Sequence, residues 1–275
     1  MIHQTAIVHP KAVVGRGAEI GPYCVIGEHV SIGDRTRLLA HVVVNGRTTI
    51  GQDCVVYPFA SIGMQSQDRK YEGEFSYTTI GDRTTLREFV SIHRATGEGE
   101  TTQVGNDCLL LTYVHVAHNC RVGNFVTMSS TAQLAGHVIV DDYATLGGMA
   151  GVHQFVRIGT YAMVGGFSKT ARDVPPYTLV EGLPSSAHGL NSIGLRRAQF
   201  PRETIADLKA MYKALYLSQL NTKHALEAMR EIVKTEEGRR LIAFVENSER
   251  GIVKRARADD PSADPSDPET LEALE

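Results

Sequence analysis

Four of the eleven histidines, His115, His118, His137 and His153, are gathered in one stretch of the chain. A neutral imidazole has its pKa close to working pH. Such a set can therefore supply a general base and polar contacts to a substrate, or it can ligate a metal ion. A single surface histidine is usually inert, and the residue types alone do not choose between the two chemistries. The choice turns on the element that holds the histidines together.

That element is written as a period of six. From Val8 to Val164 every sixth residue is aliphatic, with three exceptions in 27 positions: Asp68, Glu74 and Glu98. With 42% hydrophobic residues overall, chance gives about 11 matches where the chain has 24. Neither an α-helix nor a plain strand has this period. It is the mark of a hexapeptide-repeat β-solenoid. Two positions before each aliphatic slot stands a small or β-branched residue, as in Ala18, Cys24, Val30 and Thr36, which suits a narrow interior. One position after it Gly recurs, as in Gly15, Gly21, Gly33 and Gly105. Glycine there is expected to let the backbone turn a corner with unusual dihedrals.

The period also bounds the chemistry. Cys24, Cys54, Cys108 and Cys120 all occupy the small inward slot, so a disulfide framework, a zinc cluster or a nucleophilic thiol is not expected of them. The stretch Asp259 to Glu275 holds seven acids and no base, and without it the body carries 28 basic and 24 acidic residues. A net charge of about +4 suits an anionic substrate or an acidic partner but is too weak for nucleic acid. No secretory signal, twin-arginine stretch or long apolar run occurs, so a soluble cytoplasmic protein without stable membrane insertion is expected.

The expected organisation is a solenoid over 1–188, a helical unit over 189–256 and a disordered acidic tail over 257–275. The breaks in the period read as loops at 66–77 and 95–101 that leave the coil and return in phase, common places for function on a repeat scaffold. In the helical unit, Ile205, Leu208, Tyr212 and Leu215 form one apolar face after Pro201. A second helix carries Leu226, Met229 and Val233, and a third Leu241, Phe244 and Val245. Open sheet edges favour a symmetric oligomer.

Resemblance narrows the function. HVAHNCRVGN (His115–Asn124), LAGHV (Leu134–Val138), GGMAGVHQF (Gly147–Phe155), NSIGLRRAQF (Asn191–Phe200) and VVVNGRTTIG (Val42–Gly51) resemble the UDP-N-acetylglucosamine O-acyltransferases that begin lipid A biosynthesis. The similarity runs from Met1 to about residue 255. It implies a mainly β chain: a left-handed parallel β-helix of 18 residues per rung with a C-terminal α-helical domain, assembled as a homotrimer. The left hand comes from the resemblance alone, since the general rule for parallel crossovers favours the right. On such a coil His118, His137 and His153 would line one edge over roughly 10 Å.

The resemblance further implies transfer of an (R)-3-hydroxyacyl group from acyl carrier protein to the 3-hydroxyl of UDP-N-acetylglucosamine, with no cofactor and no metal. His118 matches the general base and the Gly136 N–H the oxyanion donor. His115, His137, His153 and Gln154 match substrate contacts, and Asp68 and Lys70 the groups that hold sugar and phosphate. Asn191 and Arg197 match nucleotide contacts made across the subunit boundary, and Gly166 the position that measures the acyl chain. Asn119 stands where the family often carries an acid, so His118 must be oriented by an amide, a backbone carbonyl or water. Ile193 and Ala198 replace a Glu and a second Arg near the nucleotide, which keeps a 3-amino UDP-sugar as an alternative acceptor. The later N-acyltransferase of the same pathway has a further domain before its solenoid, whereas here the hexads begin by residue 6. A gamma-class carbonic anhydrase-like zinc hydratase is the other alternative, because the gap from His118 to His153 is close to two rungs.

Overall fold

The structure is a computed structural model and describes residues 1–255. The expectation for the acidic tail thus lies outside the described residues. Each hexad is a two-residue strand and a four-residue corner, as in Val25–Ile26, Ser31–Ile32 and Arg37–Leu38. Successive strands lie on three different faces, and each pairs in parallel with the strand one turn away. The first face has nine strands and includes His115–Val116; the second has eight and includes Arg121–Val122. The third has ten and includes Thr127–Met128. The second residue of each strand points inward: Ile26, Ile32, Leu38, Leu110 and Leu134 are all at most 1% exposed. Each such side chain contributes about 1.5–3 kcal/mol by leaving water.

The corners correct one part of the sequence reading. The recurrent glycine after the aliphatic slot is not the residue with the unusual dihedral. That role falls two positions later, on residues such as Tyr23, His41, Phe59 and Phe89, whose φ lies between 58° and 65°. The glycines are required by crowding between rungs. A Cβ on Gly33 would lie 2.4 Å from the carbonyl carbon of Gly51, and one on Gly105 would lie 2.4 Å from the Gly123 oxygen. The strained corner positions are partly offset by stacking. Tyr23, His41, Phe59, Phe89 and Tyr113 form a column with ring centroids 4.7–5.0 Å apart.

The coil ends in a hairpin: Thr178–Glu181 continues the third face and Ser186–Leu190 pairs antiparallel with it. The expected boundary at 188 therefore falls inside a strand. Among the described residues four helices follow: α1 (Ser192–Arg197), α2 (Arg202–Tyr216), α3 (Thr222–Ile232) and α4 (Glu236–Glu246). The first was not foreseen. The others bury Leu208, Met211, Leu226, Met229, Leu241 and Val245 against one another. Buried Asp207 ties α2 to the turn before α4 by accepting from the Lys234 and Thr235 N–H groups and the Thr235 hydroxyl. Asp173 fastens this unit to the coil, accepting from the Arg157 N–H with one oxygen and the Ser248 hydroxyl with the other. No described helix is long and apolar enough to cross a membrane.

All four cysteines are buried. Burial raises their pKa values, that of Cys108 to about 11 and that of Cys120 to about 12. Native protein is therefore expected to react with a thiol reagent far more slowly than protein unfolded in guanidinium, where all four titrate. Rapid labelling of any cysteine in native protein would break its inward assignment.

Candidate active site

The edge between the first and second faces carries the histidines. Its left-handed corner positions are Asn119, His137 and Phe155, with φ of 60°, 61° and 64°. His137 stacks on Phe155 at 4.6 Å, and the His118 ring stands edge-on to His137 at 5.2 Å. The three expected histidines do share this edge, but staggered. His118 sits one residue before its corner position, His137 at it, and His153 two residues before it.

Asn119 decides what His118 can do. Its Oδ1 accepts from the Thr96 N–H at 2.9 Å and its Nδ2 donates to the Thr96 carbonyl at 3.0 Å. Its own N–H donates to the Thr102 hydroxyl. With the amide oriented this way, the Nδ1 of His118, 3.0 Å from Oδ1, must be the donor. The tautomer follows: Nε2 keeps its lone pair and can take a proton. Of the three orienting groups left open by the sequence, the amide is the one present. Thr96 belongs to the 95–101 loop, so that insertion helps to hold the base. Sequence reasoning missed Thr96 because no local pattern links it to Asn119.

Gly136 lies directly beneath this imidazole. A Cβ there would fall 2.5 Å from Nε2 of His118, so the ring can rest on the backbone only because residue 136 is glycine. The Gly136 N–H has no partner among the described residues. At the corner between the second and third faces five equivalent donors are satisfied by the next rung. Arg16 N–H donates to Asp34, Gln52 N–H to Asp82, and Asn106 N–H to Asn124. The histidine edge lacks that ladder and leaves a donor free beside a base.

The 66–77 loop approaches from outside. Asp68, His118 and His137 each bring one oxygen or nitrogen to within 4.8 Å of the others, a set a divalent ion or a ligand's hydroxyl groups could use. Desolvation, and then the neighbouring His118, lower the pKa of His137; the charge of Lys70 acts in the same direction and that of Asp68 against it. His115 is sequestered further in, with Nδ1 2.8 Å from the Ser91 hydroxyl. Desolvation first, and then His93 and His118, push its pKa down to about 4. His153 is exposed, with Nδ1 3.2 Å from the Gln154 carbonyl, and the Gln154 side chain is also exposed.

A largely apolar groove of about 460 Å³ leads from His118 along the first face, past Ala117, Ala135 and Gly151 to Lys169. Gln133 and Lys169, not singled out from the sequence, line it because they occupy outward strand positions. A second depression of about 490 Å³ on the second face, beside Asp141 and Arg240, does not reach this edge. Gly166 is exposed at the corner between the third and first faces.

Asn191 and Arg197 are not brought to the histidine edge. Asn191 caps α1, accepting from Gly194 N–H, and donates to the Tyr161 carbonyl at the corner between the second and third faces. Arg197 is exposed in the last turn of the same short helix. The corner they occupy is a different one.

Comparison with known proteins gives this geometry its context. Residues 173–253 match the family model described as UDP N-acetylglucosamine O-acyltransferase, domain 2. The chain is 47% identical, over 92% of its length and 99% of the relative's, to the acyl-(acyl-carrier-protein)–UDP-N-acetylglucosamine O-acyltransferase of Thermodesulfovibrio yellowstonii. The enzyme of the same name from Chlamydia caviae is 46% identical over 94% of this chain and 93% of its own. Among solved structures, the UDP-N-acetylglucosamine acyltransferase of Francisella novicida superposes with a TM-score of 0.90 at 37% identity, covering 98% of both chains. LpxA of Acinetobacter baumannii gives 0.89 at 41% identity, covering 92% of this chain and 99% of that one. The left-handed parallel β-helix with C-terminal helices implied by the resemblance is thus the fold. With both domains and nearly the full length of its relatives matched, the chain belongs to the UDP-N-acetylglucosamine O-acyltransferase family.

Proposed function

We propose that the protein transfers an (R)-3-hydroxyacyl group from acyl carrier protein to the 3-hydroxyl of UDP-N-acetylglucosamine, the first step of lipid A biosynthesis, in the cytoplasm. The relatives' names support the reaction, and one local observation carries the mechanism: a histidine with its Nε2 lone pair free lies against an unpaired glycine N–H. The sugar hydroxyl attacks the thioester carbonyl while Nε2 of His118 takes its proton. Negative charge gathers on the thioester oxygen, where the Gly136 N–H donates to it. Collapse breaks the C–S bond, and the departing thiolate takes the proton back from the His118 imidazolium. No acyl-enzyme is needed, in keeping with the buried cysteines.

Asp68 and Lys70 hold the sugar and a phosphate from the loop, while His115, His137, His153 and Gln154 line the approach. Arg197, and Asn191 where its cap allows, reach the nucleotide from a neighbouring subunit of a homotrimer. What supports this is their position on another corner of their own chain. Gly166 measures the acyl chain. Family membership leaves the zinc hydratase without support. The choice between a 3-hydroxyl and a 3-amino acceptor belongs to the assay.

The test is a transfer assay with UDP-N-acetylglucosamine, its 3-amino analogue and a series of carrier-linked 3-hydroxyacyl chains. The 3-hydroxyl sugar is the expected acceptor; exclusive use of the amino sugar would overturn the assignment. His118→Ala should lower turnover by about 10²–10⁴-fold; a variant that retains full activity sinks the mechanism. Asn119→Ala should lower kcat about tenfold or more, equivalent to ~1.4 kcal/mol of barrier, with the sugar KM nearly unchanged. A matching rise in KM with normal kcat would instead make Asn119 a binding residue.

Because His115 stays neutral down to about pH 4, His115→Gln should leave the midpoint of the acid limb of the rate profile in place. A moved midpoint would show that His115 titrates in the working range. Finally, co-expressed His118→Ala and Arg197→Ala chains, each impaired alone, should regain part of the activity as mixed trimers. Mixtures no more active than their parents would put both residues in one subunit's site.

A further inference from the structure

The first face carries one column of outward-pointing residues, a residue per rung. In register it runs Ser91, His115, Gln133, Gly151 and Lys169. Gly151 alone has no side chain. A Cβ built on it meets no heavy atom within 4 Å, so nothing in the described chain forbids a larger residue. Neither does the backbone, since Gly151 is not among the positive-φ glycines. A glycine inside a strand weakens it and often marks a place where a ligand or another backbone comes close. Here crowding, which accounts for Gly33 and Gly105, does not apply.

The gap has a definite place along the groove. On one side lie His118 and His153 at the catalytic edge, and the groove of about 460 Å³ joins them to Gly151. On the other side, toward the corner between the third and first faces, Gly148 and Gly166 lie one above the other. A Cβ on Gly166 would sit 3.3 Å from the Gly148 oxygen. Residues 153, 151 and 148 follow each other across one rung; His118 lies two rungs before it and Gly166 one rung beyond. The diagonal over the first face from His118 to Gly166 therefore passes between Gln133 and Gly151, where only Gly151 leaves the backbone bare. The neighbouring rungs, only about 4.8 Å above and below, present Gln133 and Lys169 instead.

We infer that Gly151 is a specificity-determining residue: the acyl chain crosses the first face over its bare backbone, and the size of residue 151 limits chain length separately from Gly166. This rests on the acyl-transfer reading above. The groove takes the hydrocarbon part of a carrier-linked 3-hydroxyacyl chain, whose methylenes pack on Ala117, Ala135 and the Gly151 backbone. The effect is steric and grows with side-chain volume, because added bulk in a filled apolar slot forces displacement.

The experiment measures kcat/KM for the unsubstituted enzyme and for Gly151→Ala and Gly151→Val with a graded series of 3-hydroxyacyl carrier proteins. Thermal melting and subunit assembly are recorded for each variant. Val is expected to depress the longest accepted chains at least about tenfold while leaving the shortest within about threefold. Ala should fall between Val and the unsubstituted enzyme, and it preserves the test if Val fails to assemble. An unchanged length profile, or a uniform loss at every length in assembled protein, overturns the inference while leaving the acyl-transfer reading intact. Absence of transfer by the unsubstituted enzyme with every chain overturns that reading and this inference together.

Discussion

The parallel register between rungs is the constraint on which everything else here depends. A strand of two residues has almost no identity of its own; it is defined by the strands above and below it. A slip of one residue would turn every aliphatic side chain to solvent and every polar one to the core. The usual step is 18 residues, as from Arg16 to Asp34, but it is 30 from Gln52 to Asp82 and 24 from Asp82 to Asn106. The excess is two hexads and then one. Both loops therefore enlarge the chain without disturbing the phase of any later strand. That condition allows residues 66–77 and 95–101 to project beside the histidine edge while Ile80, Ile92 and Val104 remain in the core.

Within this frame the site arises where a self-satisfying pattern is broken. At the corner between the second and third faces, the turn donors of Arg16, Gln52, Asp82, Asn106 and Asn124 are each met by an Asp or Asn from the next rung. At the histidine edge the corresponding chemistry is redirected. Asn119 spends its amide on Thr96 and His118, and the Gly136 N–H is left without a partner among the described residues. An unpaired buried donor costs about 1–3 kcal/mol. The rest of the coil can bear that, because its strands are paired rung to rung along all three faces. The catalytic potential is thus a local departure from the rule that stabilises the scaffold.

Much of this was legible in the sequence, and the limits are physical. The period of six exposed the inward slots, hence the cysteines and the phase of the loops, because burial must repeat wherever the backbone does. The glycines were assigned the wrong reason: sequence shows that a position tolerates only a small residue, but not whether a dihedral or a neighbouring rung imposes it. Gly33 is crowded, whereas Tyr23 takes the positive φ. The orientation of His118 was out of reach, since Thr96 and Asn119 meet only through the offset made by the second loop. The short helix α1 escaped as well, its six residues being too few to show a hydrophobic face.

One feature of the geometry bears on assembly. A triangular coil has three edges, and the residues implied in nucleotide binding hang from an edge other than the one that carries His118. No motion within a rigid rung brings two edges of the same prism together. Groups on different edges can meet around one substrate only if the histidine edge of one coil faces the helical end of another. The exposed rings Phe59, Phe89 and Tyr113 and the exposed side chains of Met149 and Phe167 run along the corner between the third and first faces. A largely apolar corner of this kind, broken at Thr131, is what a neighbouring coil would cover. A closed ring of copies, as in the trimer proposed above, would remove this exposed surface without leaving an open end.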